Sequence, residues 1–332
     1  MSSVWTGSAL LTRALQKSGF SDTTSSARTL EFLNDIQDDL ASSHAWPFLK
    51  FKMKKQIVSG DQEVDISPDT PTAPTIALLA GGSLTADSAV YLKCTFVLFS
   101  ESGKEADSLE SEASVASNTV TPTGANLSLT VTSIPLYSGS TSVKPTLIYR
   151  RLYIKVGSNP YYFVKEIADN TTLTTTITVA PTVTIEPPEY SLVSCMSGED
   201  PLVEGSGVNL YHNKLEDLLR YDPTLSSTGL PQYYSRIGPT KVLLYPKPSA
   251  TYTLTYWVYR IPARIFNDSD RAIQLHHSLK ESLDAGVTWK WYEYKDSDGQ
   301  ESKKMNYEAR KADAKGIMGR TGGQAMTVKV VC

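Results

Sequence analysis

At 332 residues, of which 40% are hydrophobic and 20% charged, the chain has room for two or three domains with ordinary buried cores. Its 32 basic and 35 acidic residues leave a net charge of -3, which argues against a protein whose main work is gripping nucleic-acid backbone, since that affinity comes from neutralising phosphates. The amino terminus lacks a basic leader, and no uncharged apolar run approaches the roughly 20 residues that span a bilayer, so a soluble, unsecreted chain is expected.

From Ser8 to His44 the pattern is helical. Leu10, Leu11, Ala14 and Leu15 form one short stripe, and after Gly19 a second helix can start at Ser21 or Asp22 with Leu30, Leu33, Ile36 and Leu40 as its buried face. Trp46-Pro47 ends it. Leu49, Phe51 and Met53 then alternate with Lys50, Lys52 and Lys54, which predicts a strand with one apolar and one basic face. Such a rib either meets an anionic partner or DNA, or is a solvated strand face whose lysine stems cover apolar surface.

Pro, Thr, Gly and Ser accumulate between Ser67 and Thr85, which reads as a domain boundary. Beyond it the helical period disappears, and Val90 to Phe99, Leu127 to Val131, Leu147 to Val156, Tyr161 to Ile167 and Leu173 to Val179 are short β-type runs separated by turn residues. Several such strands predict a β-sandwich. The first strand and the amino-terminal helices need a sheet that arrives only after Tyr190, so the sandwich reads as an insertion into a discontinuous domain. The expected fold class is therefore α+β: a discontinuous helical bundle with a small antiparallel sheet, plus an inserted all-β sandwich. The expected boundaries are 1–85 and 186–315 for the helical and β core and 86–185 for the insertion.

Lys241 to Tyr245 and Tyr252 to Val258 predict two antiparallel strands joined by a turn braced with Pro246 and Pro248, and Pro262 stops the second. Asn267, Asp268 or Ser269 can cap a helix over Ala272 to Tyr294, on which Leu275, Leu279, Leu283, Val287 and Trp291 form one apolar stripe. Trp289, Trp291, Tyr292 and Tyr294 cannot all point inward from one helix, so some meet another surface. Leu279, Leu283, Trp289, Trp291, Tyr292 and Tyr294 are accordingly the candidates for a subunit interface, where aromatic residues are enriched. After Lys315 the chain is glycine-punctuated and ends in alternating Met326, Val328 and Val330, which predicts an extended arm over 316–332 that adds as a strand to a preformed edge. Arg310, Lys311, Lys315 and Arg320 cluster ahead of that arm and would steer it toward an acidic surface, unless they are simply a solvated helix end.

Signals for catalysis or cofactors are thin. His276, His277 and Glu281 offer at most half of a metal site, and only His44 and His212 remain elsewhere. Asp296-Ser297-Asp298-Gly299 places its glycine too early for a calcium loop and reads as a turn between helices. There is no phosphate-binding loop and no nucleophile elbow, and Gly198-Glu199-Asp200 and Gly205-Ser206-Gly207 lie in a polar connector. Cys94, Cys195 and Cys332 are odd in number and far apart, as reduced thiols would be. Tyr149, Tyr153, Tyr161 and Tyr162 could stack on sugars, but alternation in a two-sheet sandwich sends about half of such residues into the core. No catalytic, cofactor or metal residue is assigned, and no enzyme activity is expected.

The order helix, helix, Trp46-Pro47-Phe48-Leu49, basic strand, insertion, then Pro231-Gln232-Tyr233-Tyr234, Leu243-Leu244-Tyr245-Pro246-Lys247-Pro248, Tyr252 to Pro262 and a carboxy-terminal helix pair resembles the head-to-tail connector adaptor proteins of tailed bacteriophages. The inserted part, with Leu147 to Tyr153, Tyr161 to Val164 and Ile167 to Thr172, is similar to the fibronectin type III-like modules of phage structural proteins. The connector resemblance implies a virion protein of the phage neck, made in the bacterial cytoplasm and forming a ring of about twelve copies. It implies the portal protein and tail or nozzle proteins as partners, with DNA passing through the channel without specific binding. It supplies no catalytic motif, and the link from Glu189 to Leu230 is longer and more polar than a minimal adaptor needs. The rival readings are a tail-fibre or receptor- and carbohydrate-binding protein, and a carbohydrate-active enzyme with paired carboxylates; neither accounts for the helical ends.

Overall fold

A computed structural model of the chain describes residues 7–18, 23–44, 46, 49–99, 108–138, 148–182, 185–188, 192–195, 202–203, 208–238, 240–260 and 279–322. Its elements begin with helices α1 (Gly7–Ser18) and α2 (Thr23–Ser42), followed by strands β1 (Lys50–Ile57), β2 (Glu63–Asp65), β3 (Thr75–Leu79), β4 (Val90–Phe99) and β5 (Ser108–Glu110). Strands β6 (Ser128–Thr132), β7 (Ile148–Val156), β8 (Tyr162–Ile167), β9 (Thr175–Ile177), β10 (Leu192–Cys195), β11 (Leu202–Val203), β12 (Val208–Asn209) and β13 (Tyr211–His212) lead to helix α3 (Leu215–Tyr221). Strands β14 (Thr228–Gly229), β15 (Tyr233–Arg236), β16 (Lys241–Tyr245), β17 (Lys247–Pro248) and β18 (Tyr252–Arg260) precede helices α4 (Lys280–Tyr294) and α5 (Gln300–Gly322). The architecture is mixed α+β, and the chain divides into two compact units, Met1–Leu49 with Pro262–Cys332, and Lys50–Ile261.

The first unit is helical. Leu10, Leu11 and Ala14 of α1, Leu30, Phe32, Leu33, Ile36 and Leu40 of α2, and Leu283, Val287 and Trp291 of α4 are all buried. These residues recur every three or four positions, so each helix turns one stripe inward. Trp46 ends α2 as a fully buried plug whose Nε1 donates to the Leu40 carbonyl at 2.7 Å, satisfying one of the helix's last acceptors.

In the second unit β1 runs antiparallel to β18 through eight paired positions, from Lys50 opposite Tyr259 to Ile57 opposite Tyr252. Phe51, Met53 and Ile57 point inward, as the alternation requires. The strands over Lys241–Tyr245 and Tyr252–Arg260 both form but do not pair with each other, which corrects the expected hairpin. β16 lies between β15 and β2, whereas β18 lies between β1 and the β10 and β11 strands. The short β17 intervenes and pairs with β14, sending the two strands into different sheets. Those sheets nevertheless share one core, in which Val64, Tyr234, Val242 and Leu244 meet Phe51, Met53, Leu254, Tyr256 and Val258.

The stretch from Thr75 to Ile177 contains a three-stranded sheet, β3-β6-β9, and a four-stranded sheet, β5-β4-β7-β8. Ile76, Leu129, Val131 and Ile177 of the first contribute to one buried cluster with Val90, Leu92, Cys94, Leu152 and Ile154 of the second. β3 falls inside the stretch expected to be a boundary loop, so the three-stranded sheet takes a strand from before residue 86. At the other end Phe96, Leu98, Leu109, Tyr137 and Ile148 belong to the core of the β1–β18 sheet.

A serine repeat finishes the edge of β4. The backbone N–H groups of Ser111, Ser114 and Ser117 each donate to the carbonyls of Phe96, Cys94 and Leu92 at 2.8 Å. Their hydroxyls accept the N–H groups of the same three residues at 2.9, 3.0 and 2.9 Å. Asn118 then closes the β3 edge, accepting from the Ile76 N–H and donating to its carbonyl, both at 2.8 Å. Edges satisfied in this way offer no template for a foreign strand.

The carboxy-terminal expectation also needs correction. The arm was expected to be extended from Gly316, yet α5 continues as helix to Gly322. Gly316 stands in open space, and an exposed helix interior tolerates glycine at about 1 kcal/mol each against the strong helix formers that precede it. Residues 323–332 lie outside the described residues, as do 271–278, the expected start of the helix that is described from Lys280.

Candidate assembly interface

The helical unit decides which expected contact residues are available for partners. Leu279, Leu283 and Trp291, all expected to face a neighbouring subunit, are 0%, 2% and 2% exposed. Trp291 packs edge-on against Phe32 at 5.3 Å, and its Nε1 donates to Thr29 Oγ1 at 3.0 Å. Gly286 makes this crossing close, since a β-carbon there would sit 2.6 Å from Ile36 Cγ2. Asp284, nearly buried, accepts from Arg13 Nε at 2.6 Å and Lys17 Nζ at 2.7 Å and so fastens α1 to α4.

Trp289 and Tyr292 are half-buried, and Tyr294 is 53% exposed with the Arg28 guanidinium 5.0 Å from its ring centre. Of the six expected interface residues, these three keep surface for a partner. The spacing rule identified the stripe but could not tell the subunit's own core from a neighbour's.

Two residues of the expected docking cluster are engaged internally. Arg310 pairs with Glu281 at 3.0 Å, and Lys311 Nζ reaches Asp39 Oδ2 at 2.7 Å. Asp39 also accepts from the Tyr307 hydroxyl. Burial alone would raise its carboxyl, but the hydrogen bonds from Lys311 and Tyr307 outweigh it and hold the group below the ordinary carboxylate range. The Tyr307 phenol moves the other way, raised by burial and by the carboxylate it donates to. Lys315 is half-buried on α5. Arg320 is placed in α5 by its backbone, its side chain is outside the described residues, and Met326, Val328 and Val330 are outside them altogether.

On the strand face expected to be a basic rib, Lys52 is exposed while Lys50 and Lys54 are half-buried; Lys55, on the other face, pairs with Asp69 at 3.1 Å. Trp257 stands opposite Lys52 in the ladder. The tyrosines that could have stacked on sugars are engaged within the subunit. Tyr153 is 0% exposed and donates to Glu110 at 2.6 Å, Tyr149 packs on Phe99, and Tyr161 carries Lys93 at 4.7 Å and Lys155 at 5.9 Å from its ring centre.

Of the residues named for metal chemistry, His276 and His277 lie outside the described residues and Glu281 is held by Arg310. His44 is exposed beside Trp46, and His212 is exposed beside Tyr234. Among the described residues no group of three or more His, Cys, Asp or Glu is placed to hold a metal. Residues 198–200 and 205–207 are outside the described residues. Asp296 to Gly299 make the turn between α4 and α5, with Asp296 at φ 48 and Gly299 at φ 91. Burial pushes the Cys94 thiol up to about 12, so it behaves as a small core residue.

Two features escaped the sequence reading. One is the pair of fully buried arginines in the run Ile148–Val156. Arg151 joins Glu110 at 2.7 Å and Glu166 at 2.9 Å. Arg150 pairs with Asp169 at 2.9 Å and donates to the Thr172 carbonyl at 2.7 Å. Adjacent arginines inside an apolar run were the available signal. The other is a row of tyrosines, Tyr211, Tyr233 and Tyr245, opposite one another across β13, β15 and β16, with Tyr211 60% exposed.

No curated protein matches the chain. A family model described as SU10 adaptor protein matches residues 148–330, from the first residue of β7 to beyond the end of α5 and more than half of the 332 residues. The segments from Pro231 to Pro262 and the carboxy-terminal helix pair lie inside that match, while the amino-terminal helices, Trp46 to Leu49 and the basic strand precede it, and on the match the chain belongs to the SU10 adaptor protein family, a family of phage adaptor proteins.

Proposed function

We propose that the protein is the subunit of a ring, about twelve copies around, that joins the portal of a tailed phage to tail or nozzle proteins. The observation that carries this reading is the family match over residues 148–330. A ring made by repeated rotation needs two different faces on each copy. Tyr294, with the half-buried Trp289 and Tyr292, supplies aromatic surface for one of them. Arg310, Lys311, Lys315 and Arg320 lead the chain into residues 323–332, whose alternating Met326, Val328 and Val330 suit strand addition to a portal edge. The core of the adaptor, expected at 1–85 and 186–315, then ends before β3 and runs on to the end of α5.

In the same reading the inserted region, expected at 86–185 and beginning with β3 at Thr75, is a fibronectin III- or Ig-like sandwich on the outside of the ring. Two sheets around one apolar cluster support that assignment. DNA passes through the channel without specific binding, in keeping with a net charge of -3. The protein acts in the virion neck after synthesis in the host cytoplasm, and it works by contact, not by catalysis. The test is a mass measurement by sedimentation of the purified chain alone and mixed with portal particles. A ring-sized species on the portal is expected; a chain that stays monomeric and never co-sediments with the portal overturns the reading.

A further inference from the structure

Helices α1, α2 and α4 close a core among themselves, through the Gly286–Ile36 approach, the Trp291–Phe32 contact and the Asp284 ion pairs with α1. α5 joins that core differently. Of its residues 300–316 only Tyr307 and Ala314 are buried, whereas the single stretch Thr29–Leu40 of α2 buries Thr29, Leu30, Phe32, Leu33, Asn34, Ile36, Gln37 and Leu40. α5 lies along α4, with Lys303 over the Tyr292 ring and Lys304 over the Trp289 ring, and to the rest of the core it is held by a polar latch. Asp39 accepts from both Tyr307 and Lys311, Arg310 pairs with Glu281, and the Tyr307 ring stacks on Trp289 at 5.7 Å. Surface ion pairs of this kind contribute little individually, and local opening is easiest where apolar contacts are few.

The connection to α4 suits a hinge. Lys295, Asp296 and Ser297 donate their N–H groups back to Trp291, Glu293 and Tyr292, so the first half of the turn stays with α4. Asp298 and Gly299 follow, and Gly299, at φ 91 with open space around it, can absorb a change of direction. α5 itself is rich in Lys, Glu, Ala, Arg and Met, which keep a helix formed without tertiary support better than other residues do.

We propose that α5 is a detachable strap that undocks from the α1–α2–α4 core as one helix about the 298–299 turn, without unfolding that core. A helix of 23 residues is about 34 Å long at 1.5 Å per residue, so its release moves the chain's last residues by a distance comparable to a domain. What release serves, delivery of residues 323–332 to a partner, rests on the adaptor reading. Release itself is a property of the isolated chain and is tested there.

The experiment is hydrogen exchange of the full chain, without partners, read on peptides from 300–316, 29–41 and 282–291. Peptides of α5 should exchange roughly 100-fold faster than those of α2 and α4, the signature of a separate opening unit. Asp39→Ala should speed α5 by a further factor of about 10 and leave α2 and α4 unchanged, because it removes the two bonds that Tyr307 and Lys311 make to it. Tyr307→Phe keeps the ring stacked on Trp289 and removes one bond, so it should fall between wild type and Asp39→Ala. If α5 is protected to within about threefold of α2, or if all three helices accelerate together in either variant, the helices form one cooperative unit and the proposal is wrong. Failure to bind portal with this exchange pattern intact would instead count against the adaptor reading alone.

Discussion

Gly286 sets how closely α4 can approach α2, and substituting it tests whether that crossing organises the helical unit. A β-carbon at this position would lie 2.6 Å from Ile36 Cγ2, 2.9 Å from Cδ1 and 3.0 Å from Cγ1. Ile36 is 1% exposed, and its branched β-carbon leaves it one preferred rotamer in a helix, so it cannot rotate clear. Overpacking of this kind costs about 1–3 kcal/mol. Replacing glycine by alanine in a helix returns about 1 kcal/mol, so Gly286→Ala should lose about 0–2 kcal/mol net. That range is too wide for a single variant to decide, and the interaction energy is sharper. Ile36→Ala alone should cost about 2–5 kcal/mol because it leaves a cavity. In the double variant the new methyl occupies part of that cavity, and the two losses should fall short of additivity by at least about 1 kcal/mol. Urea unfolding followed by tryptophan emission reads this unit, since Trp291 is buried between α4 and α2 and Trp46 caps α2. Additivity within about 0.5 kcal/mol would refute the argument that helix approach at this point is limited by steric contact.

Glu110→Ala should destabilise the protein by about 3–5 kcal/mol, measured by urea titration of the far-ultraviolet circular dichroism, because the fully buried Arg151 would lose one of its two carboxylate partners, keeping Glu166, and Thr95 and Tyr153 would lose the Glu110 acceptor. A loss below about 1 kcal/mol would mean that water replaces the carboxylate. Acid should loosen α5 selectively. The Asp39 carboxyl, faced by Lys311, Tyr307 and Lys315, is held below its ordinary value, so its contribution is complete above roughly pH 4 and lost as pH falls through the lower, folded value. Trp289 emission, sensitive to the stacked Tyr307, should be flat from neutrality to about pH 5 and change only in stronger acid; a transition near neutrality would contradict the assignment. Deleting residues 323–332 should leave the helical content of the subunit intact and abolish co-sedimentation with portal-bearing heads, and undiminished attachment would move the docking surface to the helices.

Periodicity made much of the fold legible. The run Val90–Phe99 is a strand with the limits read from it, the Leu30, Leu33, Ile36 and Leu40 stripe is the inner face of α2, and the alternation of Phe51 and Met53 with lysines places β1 correctly. These are local signals, each fixed by the direction of consecutive side chains. Partnership between strands is not local. Nothing in the alternation of Lys241–Tyr245 and Tyr252–Arg260 says that the first pairs with Glu63–Asp65 and the second with Lys50–Ile57. β3 was hidden because its short apolar stretch sits in Pro- and Thr-rich surroundings, and the Ser111, Ser114, Ser117 repeat reads as loop composition until the carbonyls and N–H groups of β4 are opposite it.

The same distinction governs the contact residues. Spacing shows that Leu279, Leu283, Val287 and Trp291 share a helix face, and burial shows that this face belongs to the subunit itself. A charged sequence is equally ambiguous. Arg310 and Lys311 look like free steering charges in the sequence, whereas Glu281 and Asp39, which neutralise them, are 29 and 272 positions away in the chain. Buried charge inverts the expectation again, since Arg150 and Arg151 look like solvent-facing members of a strand and are instead 0% exposed, each paired with a carboxylate. Long-range pairing of this sort follows from where the backbone brings distant segments together. It is also why, of the six residues that spacing and aromatic character selected on this helix, Tyr294 and parts of Trp289 and Tyr292 stay exposed while Leu279, Leu283 and Trp291 do not.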